Sequence, residues 1–243
     1  MSATISSTRK RFYPLIAVLL VAFVVTGFSR TYYLRFLSDL PPMKTLLQLH
    51  GLIFTAWLAL FIAQTQLVAA RRVDLHMKLG VLGVFLALAV VASGVGAMFD
   101  AAATPRVNLL GMTAPQASII PLVAITQFAV LVTAGVALRR RASLHKRFML
   151  LAMIGVLGPP TARLIGLLGM RQYALLIQMS VIAVLVTVCL VYDWRRNRVV
   201  HPVFAIGGLV LILLWPARYA FGRSEMWQPI GDWIAEVGRH LAS

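Results

Sequence analysis

Three histidines hold matching places in this chain: His76, His145 and His201 each follow an arginine cluster and open a long apolar run. The clusters read Arg71-Arg72-Val73-Asp74-Leu75, Arg139-Arg140-Arg141-Ala142-Ser143-Leu144 and Arg195-Arg196-Asn197-Arg198-Val199-Val200. Neutral imidazoles at one depth can ligate haem iron from opposite sides, as in a haem b site. They can also hold a transition metal with a carboxylate such as Asp74 or Asp193. A ring at a headgroup boundary beside arginines is equally suited to touching lipid phosphate. The separation between the histidines is too long for a local metal motif such as HExxH. Asp193 has Arg195 and Arg196 as its nearest cations in sequence, and pairing with one of them is the expectation.

A second group of residues points to anion chemistry at the opposite ends of the runs. His50 lies about twenty residues before Arg71, roughly 30 Å of helix, so it shares no metal with the other three. Gln48 accompanies it, and Arg163 and Arg218 sit near the same level in other runs. Together His50, Arg163 and Arg218 would suit a carboxylate, a lipid phosphate or a haem propionate. Arginine inside a span is expensive and faces a polar interior, a ligand or an interface. Snorkelling to headgroups accounts for Arg218 more easily than for Arg163. Pro159 and Pro160 stand just before Arg163, where they break helical bonding and can open a polar pocket. Four amides fall within apolar runs: Gln64, Gln66, Gln127 and Gln178. They serve as interhelical hydrogen-bond glue or line a quinone or substrate cavity.

The elements that must position these groups follow from composition. Hydrophobic residues make up 60% of the 243, and only 12% are charged. With a mean hydropathy of +0.86, lipid is the solvent for most of the chain. Seven apolar stretches are long enough to cross a ~30 Å hydrocarbon core as helices. They run over about Tyr13–Leu34, Thr45–Ala70, Leu79–Phe99, Ile119–Leu138, Phe148–Leu168, Tyr173–Tyr192 and Val203–Phe221. The first is preceded by Arg9-Lys10-Arg11 and is read as a retained helix, being too long for a signal peptide and lacking a clear cleavage site.

Assigning alternate connections to alternate sides puts fourteen of the 23 lysines and arginines on the N-terminal side and eight on the other, with Arg163 inside a span. That asymmetry predicts a cytoplasmic N-terminus and a C-terminus outside, periplasmic for a bacterial inner membrane. The net charge of +16 then reflects loops facing anionic lipid. No nucleic-acid motif accompanies it, so nucleic acid is not an expected partner.

Connections are short except Asp100–Ser118, whose Pro105, Gly111 and Pro115 mark a turn-rich lid or a surface connection. Residues 1–222 read as one transmembrane domain. Residues 223–243 differ: Ile230, Ile234, Val237 and Leu241 recur at helical spacing beside Trp227 and Trp233. This predicts an amphipathic helix on the outer membrane surface, or one packed on another subunit. The expected fold is therefore an all-α integral membrane bundle of seven transmembrane helices with a C-terminal interfacial helix.

The single cysteine, Cys189, excludes an intrachain disulfide and a thiolate metal cluster. There is no Walker motif, no GxSxG, no zincin helix and no lysine inside a span for a retinal-type linkage. The His-to-Arg offsets of His145 to Arg163 and His201 to Arg218 are 18 and 17 residues, each ~26 Å of helix. A triplicated hairpin produces that pattern, and so does ordinary membrane-helix grammar.

The segment Gln48-Leu49-His50-Gly51, with Trp57, Gln64 and Leu67, leads into Arg71-Arg72 and Leu75-His76-Met77-Lys78-Leu79-Gly80. With Arg139-Arg140-Arg141, His145-Lys146-Arg147 and His201-Pro202, it resembles a widespread group of uncharacterised bacterial multi-pass membrane proteins over about residues 46–220. Leu-His-x-x-x-Gly is also similar, more weakly, to cytochrome-b561-type helices, which imply two haems held by paired histidines. Here His50 alone lies within a span on the outer side, so a second bis-histidine haem lacks ligands. Three functions are expected from these readings. The first is a redox, metal- or haem-binding membrane protein. The others are an accessory subunit or assembly factor of a larger membrane complex, and a carrier for a small anionic or amphiphilic molecule.

Overall fold

The computed structural model describes residues 2–242, and the side chains of residues 12–241. The side chains of Arg9, Lys10 and Arg11 thus lie outside the described residues. The chain is all-α. Its elements are α1 (Ser2–Phe28), α2 (Thr45–Ala69), α3 (Val73–Ala103), the single turn α4 (Ala114–Ala117), α5 (Ile119–Ala137), α6 (Ala142–Gly155), α7 (Gly158–Leu167), α8 (Ala174–Asn197), α9 (Pro202–Gly222) and α10 (Gln228–Ala242). Among the described residues seven helical stretches are long and apolar enough to cross a membrane, the fifth formed by α6 and α7 together. The fifth span is interrupted at Val156-Leu157, just before the two prolines that mark a break in the sequence.

Two compact units form, Met1–Val90 and Val91–Ser243. In the first, α1 and α2 pack as a hairpin, with Tyr33 Oη 3.0 Å from Thr55 Oγ1 and the Tyr32 hydroxyl donating to the Gln48 carbonyl at 3.3 Å. Ile16, Leu20 and Val24 recur every fourth residue on the buried stripe of α1. The α2 helix ends at its arginine cluster, where Arg71 takes a left-handed φ of 61° and Arg72 N–H bonds back to the Leu67 carbonyl. Arg198 closes α8 the same way, with φ 57°. Two arginine clusters therefore double as helix stops, at a position that glycine usually fills.

The second unit packs α5 to α9 together, and α10 lies against the connection after α3. The buried face of α10 carries Trp227, Gly231, Ile234, Ala235 and Gly238. Trp227, Ile234 and Ala235 join Met98, Ala102, Met112 and Ile119 in one cluster, and Trp227 Nε1 donates to the Pro115 carbonyl at 3.2 Å. The amphipathic tail is thus docked on its own chain. Met226, Ile230, Trp233 and Leu241 form a second apolar stripe that stays exposed, at the right spacing to meet lipid.

Candidate functional site

Pro159 and Pro160 lack the N–H groups that would continue α6, which would leave carbonyls one turn earlier without donors inside a membrane span. Gln127 of α5 answers one of them, donating its amide N–H to the Gly155 carbonyl. Gln127 is the interhelical glue the sequence suggested, and its role is specific: it mends the break between α6 and α7. The broken span is also the most enclosed, with 61% of its apolar window buried against 28% or less in the other six. Non-helical backbone at this depth is tolerated where it is packed in protein or lines a polar cavity.

The break is packed in protein and also borders a cavity. Leu157 is fully buried, while Gly158 and Pro159 line a cavity of about 470 Å³ that lies within the second unit. That volume falls in the range of small-molecule pockets. Arg163 lines it, and so do Arg106 from the connection after α3 and Arg171 from the turn before α8. Arg106 and Arg163 lie close enough to repel one another, and no carboxylate is among the lining residues. Arg163 also donates to the Pro159 carbonyl at 3.1 Å, back-bonding to its own helix. Three cations in one cavity lining that holds no carboxylate suit negative charge.

The connection that carries Arg106 is ordered by its own side chains. Asn108 Oδ1 accepts from Leu110 N–H at 2.8 Å and from Met112 N–H at 3.1 Å. Gly111 takes φ 70°, a left-handed turn that favours glycine, and Arg223 donates to the Gly111 carbonyl at 3.2 Å. Thr113 and Gln116 then form a reciprocal capping box on α4. Val107 to Leu110 of this connection line the cavity.

The floor is built from α7, α8 and α9. Trp215 packs so tightly on Gly158 that a Cβ there would sit 2.7 Å from the indole ring. Arg218 stacks on Trp215 with its guanidinium 3.6 Å from the ring centroid and reaches the Ile120 carbonyl at 3.5 Å. It is 3% exposed, so the expectation that Arg218 snorkels to headgroups is corrected: the side chain is buried behind the cavity. Gln178 also faces the floor, 5% exposed, and makes no hydrogen bond among the described residues.

No protein-family model, curated protein or solved structure matches the chain.

The arginine-rich ends of the second unit are organised around Asp193. Arg147 of α6 grips this carboxylate with Nη2 to Oδ1 at 2.6 Å and Nε to Oδ2 at 2.9 Å. The side chains are 3% and 0% exposed. Arg147 Nη1 bonds the Ser143 hydroxyl and carbonyl, and its guanidinium lies over the Phe204 ring. The expected pairing of Asp193 with Arg195 or Arg196 is therefore corrected. Arg196 instead donates to the Tyr192 hydroxyl at 2.7 Å.

His145 and His201 each commit Nδ1 locally. His145 Nδ1 lies 2.8 Å from the Gly135 carbonyl at the end of α5. A carbonyl only accepts, so that nitrogen carries the proton. His201 caps α9 in the opposite sense, its Nδ1 accepting from Val203 N–H at 3.2 Å. A metal on His201 Nε2 would demand the other tautomer and the loss of this cap. Among the described residues no group of three or more His, Cys, Asp or Glu is arranged to hold a metal ion.

Burial lowers the His201 pKa from 6.5, helped by the charges of Arg147 and Lys146 and opposed by Asp193. With the folded value depressed, its stabilising contribution is complete above the unfolded pKa and is lost as pH falls through the folded one. Protonation also turns Nδ1 into a donor and abolishes the cap. Thermal stability of the wild type is expected to drop across this acidic window. His201→Asn, which caps without titrating, should remove that step from the pH profile. A step of equal size in both proteins would contradict the assignment.

The remaining candidates are dispersed. His76 is half-buried in the first turn of α3, and Asp74 forms an exposed ion pair with Arg72 at 3.4 Å. Gln64 is half-buried and Gln66 exposed. His50 stacks on Phe54, and Gln48 donates to the Met43 carbonyl at 2.7 Å. These residues belong to the first unit, whereas Arg163 and Arg218 belong to the second. Arg106, Arg171 and Trp215 carried no sequence signal beyond ordinary loop charge and apolar filling.

Proposed function

We propose that this multi-pass membrane protein binds a small organic anion at the ends of its spans opposite the arginine-rich ends, as the recognition step of a carrier. The carrying observation is the cavity with Arg106, Arg163 and Arg171 on its wall, placed beside a helix broken in mid-span. Discontinuous spans beside a polar site are recurrent devices of secondary transporters, where half-helix termini face the substrate. The positive end of the α7 dipole, at Gly158, faces the same cavity. The charge asymmetry of the loops supports a bacterial inner membrane with the N-terminus in the cytoplasm, so the cavity faces outward. The metal, haem and redox reading has less to support it, since a metal on His201 Nε2 would cost the α9 cap, although His145 keeps Nε2 available. The accessory-subunit reading loses one of its motives, because the tail helix packs on its own chain.

Ala162 lines the cavity next to Arg163, and the only native cysteine, Cys189, is fully buried. Ala162→Cys can therefore be labelled alone. A sulfonate-bearing thiosulfonate reagent should outpace its trimethylammonium counterpart by on the order of tenfold more than with a free thiol in solution, as the local potential requires. Labelling should occur only from the side opposite the N-terminus. A rate ratio equal to that of the free thiol, or labelling from the N-terminal side, would overturn the proposal.

A further inference from the structure

Gln178 is the one feature of the cavity that a simple anion site leaves unexplained. Gln178 is 5% exposed beside Gly158 and Trp215 in the cavity lining, and its side chain makes no hydrogen bond among the described residues. A structural amide would resemble Gln127, whose N–H is spent on the Gly155 carbonyl. An amide that opens onto a cavity without a protein partner offers both a donor and an acceptor to whatever the cavity holds. Arg171 lies in the turn before α8, seven residues ahead of Gln178, so the two enter the cavity at different levels along the helix axis. The wall between is largely apolar, including Leu110, Met112 and Ile120.

We infer that the ligand is a bifunctional amphiphile: an organic acid whose anionic head meets Arg106, Arg163 and Arg171, and whose far end carries a neutral hydrogen-bonding oxygen read by Gln178. The inference rests on the anion-binding reading above and adds the second end. The oxygen is neutral because an amide does not offset the desolvation of a full charge, and Arg218 is screened from the cavity by the Trp215 ring on which it stacks. A hydroxyl meets both halves of the Gln178 amide, accepting from its N–H or donating to its oxygen.

The test uses the full-length protein in nanodiscs of zwitterionic lipid, titrated with octanoate, 8-hydroxyoctanoate and octanedioate. Wild type should bind 8-hydroxyoctanoate about tenfold tighter than octanoate, with octanedioate no tighter than octanoate. Gln178→Met, close in shape and apolar, should erase the hydroxyl preference and leave octanoate affinity and thermal stability unchanged. Arg163→Gln should weaken all three acids. If octanoate binds wild type and Arg163→Gln abolishes it, yet the hydroxyl adds nothing, the inference about Gln178 falls and the anion site stands. Tightest binding of octanedioate would also overturn it, as would unfolding of Gln178→Met, which would make the amide structural. If no acid binds wild type at all, both readings fail together.

Discussion

Asp193→Ala is expected to lower the stability of the protein by about 3–5 kcal/mol, because it strands the Arg147 guanidinium in a site that water does not reach. Neither partner is more than 3% exposed, so the orphaned charge has no route to solvent without unpacking α6 from α8. The carboxylate also accepts from His201 N–H at 3.4 Å, so its loss loosens the entry to α9. Arg147→Met alone should be nearly as damaging, since it leaves the anion unpaired. The double variant Arg147→Met with Asp193→Leu removes both charges and should recover most of the loss, as apolar replacement of buried pairs often does. Unfolding followed by tryptophan fluorescence in mixed micelles, on all four proteins, measures the series. Loss below 1 kcal/mol in the single variants would mean that the pair is solvated and would sink this view of the arginine-rich end.

The seven spans were legible because an apolar run of membrane length carries its own signal, independent of partners. Arg163 was legible for a similar reason: a charge inside such a run needs explaining. The prolines before it marked the break, but a sequence does not say what repairs one. Gln127 does so from a different helix, 28 residues away, and only packing of α5 on α6 brings them together. Asp193 had a readable clue that proximity in sequence obscured. It continues the stripe Gln178, Ile182, Val186 and Cys189 along α8, the buried face, whereas Arg195 and Arg196 point away. A carboxylate on that stripe needs a cation from another helix, and Arg147 supplies it. Arg106 and Arg171 looked like ordinary charges of outer connections. Their convergence on Arg163 depends on the Asn108 turn and on how α7 meets α8, and no spacing rule encodes either.

On the proposed function, the cavity holds an anion through Arg106, Arg163 and Arg171. Equilibrium binding of radiolabelled octanoate to the protein in zwitterionic nanodiscs tests it most directly, with Arg106, Arg163 and Arg171 changed to glutamine one at a time. A hydrogen bond to a charged group is worth about 1.5–3 kcal/mol, so each change should weaken binding roughly ten- to hundredfold. Arg239→Gln, on the exposed polar face of α10, should leave it unchanged. Saturable binding to the wild type that falls in all three cavity variants and persists in Arg239→Gln is the expected result. Binding that is absent from the wild type, or that survives the three substitutions undiminished, would contradict the claim.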